Sequence, residues 1–261
     1  TAKRFVEASK PRLLDFLSDC VIDLDQRIEG QVTTRRLRIA KYRGSAFSGN
    51  EYPFVIDGHG IRLLPVTDAE LPEGASGSPL SLGAPGLDQI LGGGFRRGAS
   101  VLIAGPTGSG KTTLACTFAV AVTAGGERVL YCTYEESAAE LFQSMSSTGI
   151  ELRPPVDAGM MRIQATMPEA MGVEAHLFRI IDAMDTFEPE HIVVDAITAV
   201  QRMGTERASF DFLIRLASEA KRRRVTCIYT SQTRTADLAE VSGVSGLGIS
   251  SLIDTIISLR Y

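Results

Sequence analysis

The sequence contains no tryptophan and only four cysteines among its 261 residues. The cysteines lie scattered in apolar segments, without the close spacing that metal ligands or a disulfide framework show. We therefore expect no metal–thiolate site, and we interpret all four as reduced core residues of a cytoplasmic protein. They are Cys20, Cys116, Cys132 and Cys227.

Long apolar runs are also missing from this sequence. No segment is long and apolar enough to cross a bilayer, and no secretion signal is present at the N-terminus. We expect neither membrane insertion nor secretion. The chain lacks an initial Met and ends at Tyr261, directly after a strand-like run, so we expect both ends to be incomplete.

Positive charge is scarce, which bears on nucleic-acid partners. The net charge is −4 and the pI is about 5.5. Segment 237–248 is rich in Gly, Ser and Val but holds no Lys, Arg or aromatic residue. It therefore lacks the cations and stacking surfaces of a DNA-binding loop, and we expect no nucleic-acid partner.

The strongest positive signal is the run Gly-Pro-Thr-Gly-Ser-Gly-Lys-Thr at 105–112, between an apolar strand-like run and a helix-like run. Glycines in this context let backbone N–H groups surround phosphates, as in a P-loop. Lys111 then reaches phosphate oxygens, and the hydroxyl of Thr112 ligates Mg²⁺. The predicted nucleotide-binding residues here are Gly105, Pro106, Thr107, Gly108, Ser109, Gly110, Lys111, Thr112 and Thr113.

The hydrophobic pattern divides the chain into two parts. Residues 19–64 read as short antiparallel strands, beginning with a buried strand at 20–24, and a polar, turn-rich linker follows. From residue 100 onwards, apolar strands alternate with helices of about four turns. This alternation predicts an α/β fold with a mostly parallel twisted sheet that helices cover on both faces.

Three carboxylates follow predicted strands at the edge where the P-loop lies. Asp195 ends the apolar run 192–194 and can hold Mg²⁺ through water. Glu135 and Glu136 follow the strand after the P-loop helix, where one carboxylate can accept a proton from an attacking oxygen and the other supports the metal. The alternatives stay open: an aspartate that caps the next helix, and a solvated Glu-Glu helix start.

One internal similarity suggests a duplication. Segment 17–24 resembles segment 252–259 in its apolar pattern and in a shared aspartate. Tandem copies of one domain, or chance, both account for so short a match. On the first reading, residues 1–65 are the tail of one copy, 66–79 a linker, and 80–261 a second, incomplete copy.

Several blocks together resemble the KaiC family of bacterial clock ATPases, within the RecA-like superfamily. They are 82–88 with 91–95, the P-loop, Tyr-Glu-Glu-Ser at 134–137, and 249–256. The resemblance implies two tandem RecA-like domains, a double-ring homo-hexamer with ATP at subunit interfaces, and KaiB-like or other signalling partners. It also implies that this chain is the end of the first domain plus most of the second.

The resemblance also assigns roles by position. It implies catalytic roles for Glu135, Glu136 and Lys111, and Mg²⁺ ligation by Thr112, Glu136 and Asp195. The Lys-x-Arg pattern at Lys41 and Arg43 implies a contact to the nucleotide of a neighbouring subunit. That pattern belongs to the first domain's tail, and the second domain's own equivalent would lie beyond Tyr261.

The resemblance further implies an autokinase whose phospho-acceptors are Ser250 and Ser251, modified across the subunit interface with Mg·ATP. Two serines that bond only to backbone are the alternative. Two other classes also stay open. A RecA- or RadA-like recombination ATPase shares the fold, but low positive charge argues against it. A ring scaffold that uses ATP only for assembly needs no paired carboxylates.

Overall fold

The computed structural model describes residues 16–29, 32–63, 77–203, 206–233 and 252–260. The chain divides into two compact units. The first comprises Thr1–Ile28 and Thr33–Thr67, and the second comprises Glu29–Val32 and Asp68–Tyr261.

The first unit is an antiparallel sheet of four strands, ordered β1-β2-β3-β4. This arrangement confirms the predicted β-rich N-terminal segment. The strands are β1 (Cys20–Glu29), β2 (Val32–Tyr42), β3 (Glu51–Asp57) and β4 (Gly60–Leu63). The apolar positions of residues 1–18 predict a helix, and almost all of that segment lies outside the described residues.

Strand β1 is not buried, contrary to the prediction. Ile22 is 53% exposed and Leu24 is 58% exposed. Cys20 is exposed as well, whereas the other three cysteines are buried as predicted. Because β1 is an edge strand and Phe54 is the one large apolar side chain buried among the described residues of this unit, its apolar face finds no core there.

The second unit is built on a six-stranded sheet in which every neighbouring pair is parallel. Its order is β12-β7-β11-β10-β8-β9. This sheet and its helices form the predicted RecA-like α/β fold. The strands are β7 (Ser100–Gly105), β8 (Val129–Thr133), β9 (Met161–Ala165), β10 (His191–Asp195), β11 (Thr226–Gln232) and β12 (Thr255–Ser258).

Six helices belong to the described part of this unit, and one of them follows the P-loop as predicted. They are α1 (Pro85–Ile90), α2 (Lys111–Ala124), α3 (Ala138–Ser146), α4 (Arg153–Asp157), α5 (Val173–Phe187) and α6 (Glu206–Arg222). Ser137 starts α3, because its side chain accepts a hydrogen bond from the backbone N–H of Glu140 while the Glu140 carboxylate accepts one in return.

Some short elements were not predicted. Helix α4 has consecutive prolines in its first turn, where proline is tolerated because the backbone N–H there has no partner within the helix. The apolar pattern predicts a strand over 191–197, whereas β10 ends at Asp195 and a 3₁₀ segment follows at Ile197–Met203. A two-stranded antiparallel sheet pairs β5 (Pro79–Leu80) with β6 (Phe95–Arg96), so residue 79 is strand rather than linker.

The core lies between the sheet and the helices that cover it. Phe118 on α2 and Tyr131 on β8 are both 0% exposed and belong to one apolar cluster with Ile103 and Val193. Burying a side chain as large as Phe118 stabilises the fold by about 2–3 kcal/mol. This packing fixes α2, and therefore the loop that precedes it, against the sheet.

Among the described residues, no helix combines the length and apolarity needed to cross a membrane.

Candidate nucleotide site

The P-loop connects the end of β7 to the start of α2, as predicted. Gly108 and Gly110 have φ angles of +79° and +89°, a left-handed region that side chains other than glycine's rarely adopt. Gly110 stands at the N-terminal cap of α2, so the free N–H groups of the helix's first turn open toward the loop. Backbone donors and a helix N-terminus together suit a phosphate group.

Gly105 is confined by a different constraint. A Cβ atom at this position would stand 2.6 Å from Ser109 Oγ and 2.8 Å from the carbonyl oxygen of Leu259. The loop therefore folds back over the end of β7 and beside the end of β12, at a spacing that only glycine allows. Ser109 Oγ is buried there without a hydrogen-bond partner among the described residues.

Lys111 keeps its ammonium group within this loop. Its Nζ donates to the carbonyl oxygen of Pro106 at 2.8 Å. Burial lowers the pKa of Lys111, and the negative charges of Asp195 and Glu135 partly offset that shift. The half-buried lysine thus lies in the field of two carboxylates, and it can offer hydrogen bonds to an anion in the loop.

Asp195 is held from both sides at the end of β10. It is 5% exposed. The Tyr131 hydroxyl donates to its Oδ2 at 2.8 Å, and the Thr230 hydroxyl donates to its Oδ1. Because β10 lies between β8 and β11 in the sheet, one donor comes from each neighbouring strand. The described hydrogen bonds to the Asp195 carboxylate thus come from two strands and not from a helix N-terminus.

Glu135 and Glu136 follow β8 but have different surroundings. Glu135 is exposed, whereas Glu136 is half-buried and its Oε2 has no hydrogen-bond partner among the described residues. Burial, followed by the charges of Asp195, Glu140 and Glu135, raises the pKa of Glu136. The hydroxyl of Thr133 accepts from the Glu136 backbone N–H at 3.3 Å, which fixes the turn. Both glutamates precede α3, since Ser137 is the capping residue.

Gln232 joins the site from the end of β11. Its Nε2 donates to Thr107 Oγ1 in the P-loop at 2.7 Å. The run Thr230-Ser231-Gln232 gives only a weak signal in the sequence, as a polar strand end that can sense the state of a nucleotide. Even so, the side chains of Thr230 and Gln232 contact the predicted site residues Asp195 and Thr107. No sequence pattern indicates that Tyr131 contacts the site, because one sequence does not show that β8 pairs with β10.

These residues fit a phosphate-bound Mg²⁺ ion better than a metal held by protein alone. The described residues contain no group of three or more His, Cys, Asp or Glu side chains that could hold a metal. Mg²⁺ usually binds through one or two carboxylates together with substrate phosphates. Asp195, Thr112 and the unpartnered oxygen of Glu136 match that smaller requirement.

Two predicted groups are not brought to this site by the described contacts. Lys41 Nζ and Arg43 Nη2 both donate to the carbonyl oxygen of Phe16, at 3.2 and 3.3 Å. Both belong to the first unit. Ser250 and Ser251 lie outside the described residues, which resume at Leu252.

Comparison with known proteins identifies the family. The family model for the KaiC ATPase matches residues 3–68 and 80–261. The circadian clock protein KaiC2 of Synechocystis sp. is 38% identical over 249 residues, which is 95% of this chain and 44% of the relative.

Two further relatives agree with this match. The circadian clock oscillator protein KaiC of Synechococcus elongatus is 34% identical over 95% of this chain and 47% of its own length. The circadian clock protein KaiC3 of Synechocystis sp. is 30% identical over 100% and 52%. The chain thus spans about half the length of the curated relatives it matches. Its fold, its P-loop and these matches together show that the chain belongs to the KaiC family of RecA-like ATPases.

Proposed function

We propose that this chain binds Mg·ATP and hydrolyses it, as part of a clock-type or signalling regulator in the cytoplasm. One observation carries the proposal: the P-loop, the buried Asp195 and the half-buried Glu136 converge on one edge of the sheet, with Lys111 in the field of the carboxylates. Family membership supports the same activity.

The proposed roles follow from the geometry of each group. Lys111 and the loop N–H groups bind the phosphates, while Thr112, Asp195 and Glu136 hold the ion. When bound, Mg²⁺ neutralises charge on the phosphate oxygens. Of the paired glutamates Glu135 and Glu136, one accepts the proton of an attacking water and the other supports the ion. Burial raises the pKa of Glu136, and a carboxylate with a raised pKa is the stronger base.

The test of nucleotide binding is Lys111→Ala. The lysine is only half-buried, so its loss removes a phosphate contact without opening the core. We expect loss of ATP binding in calorimetry and an unchanged far-ultraviolet circular dichroism spectrum. Unchanged ATP affinity would refute the P-loop assignment. Glu135→Gln and Glu136→Gln should bind ATP and lose most of the turnover, since each removes one carboxylate of the pair. Undiminished turnover in both variants would refute the catalytic role of the two glutamates, whereas a wild-type protein that binds ATP without turnover would leave ATP a role in assembly alone.

We further propose that the chain phosphorylates itself on Ser250 and Ser251, in reactions between copies. The Asp254 N–H donates to the carbonyl oxygen of Ser100, at the start of β7, whereas the P-loop follows the end of β7. Five strand steps separate those ends by about 17 Å. The serines precede Asp254 by three and four residues, a reach of about 10–14 Å. This shortfall favours a phosphate donor on a neighbouring copy.

The proposed transfer uses a serine hydroxyl as the nucleophile and Glu135 as the proton acceptor. The serine Oγ attacks the γ-phosphorus, the bond to the β–γ bridging oxygen breaks, and ADP leaves. The hydroxyl proton passes to Glu135 of the adjoining copy. We expect label from [γ-³²P]ATP in the protein, lost in a Ser250→Ala, Ser251→Ala double variant and in Glu135→Gln. Undiminished label in the double variant would place the acceptor elsewhere.

The assembly that such a reaction needs is a homo-hexameric ring with ATP between subunits. We propose that residues 1–65 are the tail of one KaiC domain, that 66–79 is a linker, and that 80–261 belong to a second. The family model supports this division, because it matches two segments separated by 69–79. Lys41 and Arg43 would then contact a neighbour's nucleotide, and KaiB-like or other signalling proteins would be the partners.

A further inference from the structure

Tyr131 brings a polar group into the middle of the second unit's core. The residue lies on β8, is 0% exposed, and packs among the apolar side chains of the sheet. A buried hydroxyl without a partner costs about 1–3 kcal/mol. Its hydrogen bond to Asp195 Oδ2, at 2.8 Å, removes that cost. The hydroxyl therefore has one described acceptor, and that acceptor is the carboxylate at the nucleotide edge of the sheet.

The hydroxyl also receives a hydrogen bond, which sets its direction. The Cys116 thiol donates to the Tyr131 oxygen at 3.5 Å. Since the phenol accepts from the thiol, its own proton is left to point at Asp195. Cys116 lies on α2, four residues and about one helical turn after Thr112. A polar chain thus runs from the helix that carries Thr112 to the carboxylate.

Thr230 completes the arrangement from the opposite side. Its hydroxyl donates to Asp195 Oδ1, so each carboxylate oxygen accepts one hydrogen bond. Two donors on different strands fix both the position and the rotation of the carboxylate plane. A carboxylate held by one donor, or by none, could rotate about its last side-chain bond, because that torsion is broad.

We propose that Tyr131 is a positioning residue, which holds the Asp195 carboxylate in the orientation required to bind the nucleotide-associated divalent ion, with Thr230 as the second holder. This inference rests on the proposed function, because the ion arrives with ATP. Hydrogen bonds to metal ligands commonly change metal affinity by about 10–100-fold when they are removed. Tyr131 would act on the ion only through Asp195.

The experiment measures ion binding without turnover. Mn²⁺ serves as a paramagnetic substitute for Mg²⁺, and free Mn²⁺ is titrated by electron paramagnetic resonance with a non-hydrolysable ATP analogue present. Tyr131→Phe removes the hydroxyl and keeps the ring. We expect Mn²⁺ affinity about tenfold weaker. Affinity for the analogue in EDTA should change by less than about twofold, because the described hydrogen bonds of the phenol go to Cys116 and Asp195 and not to the P-loop.

Matched variants separate positioning from a general effect on the core. Tyr229→Phe removes another buried tyrosine hydroxyl, on β11, one residue from Thr230. Neighbours in a strand face opposite sides of the sheet, so this variant should bind Mn²⁺ as the wild type does. Thr230→Val should weaken Mn²⁺ binding as Tyr131→Phe does, and Thr230→Ser, which keeps the hydroxyl, should restore it.

The outcomes separate a failure of the positioning role of Tyr131 from a failure of the proposed function. Wild-type Mn²⁺ affinity in Tyr131→Phe would overturn the inference and leave the proposed function intact. A wild-type protein that binds no ATP analogue, with or without Mn²⁺, would overturn the proposed function itself. If Tyr131→Phe fails to fold, the Thr230→Val and Thr230→Ser pair decides, and equal Mn²⁺ affinity in those two variants counts against the holding of Asp195.

Discussion

Gly105 occupies a position where a side chain has no room. The carbonyl oxygen of Leu259 and Ser109 Oγ both lie within 3 Å of where its Cβ would stand, at 2.8 and 2.6 Å. We predict that Gly105→Ala lowers the free energy of unfolding by about 1–3 kcal/mol and weakens ATP binding, because the loop must shift. Urea denaturation and calorimetry measure the two effects.

Gly86 provides the matched control, since a Cβ there would meet no atom within 4 Å and the residue lies in α1. Gly86→Ala should stabilise the protein by up to about 1 kcal/mol. Equal denaturation midpoints for the two variants would show that the loop tolerates the methyl group.

Some site residues can be predicted from the sequence alone, and others cannot. The spacing of the P-loop and the carboxylates after strands predicted Lys111 and Asp195 at one edge. Tyr131 was out of reach, because its role depends on β8 lying beside β10. That pairing places Asp195 opposite Thr133, and it results from packing between segments about 60 residues apart rather than from any local pattern.

Side chains at the N-terminal ends of β7, β8 and β10, opposite the P-loop, form one hydrogen-bonded cluster. Glu127, before β8, accepts two hydrogen bonds from Arg97, before β7, each at 2.6 Å. Its Oε2 also lies 2.5 Å from Nε2 of His191, the first residue of β10. The Arg97 and His191 bonds outweigh burial and lower the pKa of Glu127 from 4.5 to about 2.

This cluster predicts a loss of stability in acid. A depressed carboxylate pKa stabilises the fold above pH 4.5, and that contribution disappears as the pH falls from 4.5 to about 2. Glu127→Gln should lower the free energy of unfolding by up to about 3 kcal/mol at pH 7 and flatten its decline in that window. Urea denaturation at several pH values measures both, and an unchanged slope would contradict the prediction.

Burial also lowers the pKa of His191. The unfolded chain therefore takes up a proton on this histidine before the folded protein does, and a separate decline in the free energy of unfolding begins as the pH falls below about 6.5.

The Asp254 side chain helps to hold strand β12 beside β7. The Asp254 carboxylate accepts from the Ser100 N–H at 2.8 Å and lies 3.7 Å from Lys221 Nζ. We predict that Asp254→Ala speeds hydrogen exchange in β12 at least about tenfold, as expected when about 1.4 kcal/mol of local stability is lost, and leaves β8 unchanged.

Asp254→Asn retains a carbonyl acceptor for the Ser100 N–H and should exchange nearly as the wild type does. If both variants accelerate exchange equally, the charge near Lys221 matters more than the hydrogen bond.

The assembled protein should respond to ATP. If the nucleotide binds between copies, ATP stabilises the ring by mass action, and light scattering should show a hexamer-sized mass with Mg·ATP and a smaller one in its absence. A constant monomeric mass would contradict this. Lys41→Ala with Arg43→Ala should weaken the assembly. Arg38→Ala, an exposed arginine of the same strand that pairs with Asp23 at 3.0 Å, should leave it unchanged.

The anchoring of Asp254 beside Ser100, far from the P-loop of the same chain, has a kinetic consequence. If Ser250 and Ser251 accept phosphate as proposed and a chain cannot reach its own phosphate donor, each chain is modified only at the rate at which donors and acceptors on different chains meet. Dilution below the assembly threshold should therefore slow labelling in proportion to the square of protein concentration, whereas inside a complete ring the rate per chain becomes independent of dilution. The order of the reaction would then report how many chains have found a neighbour.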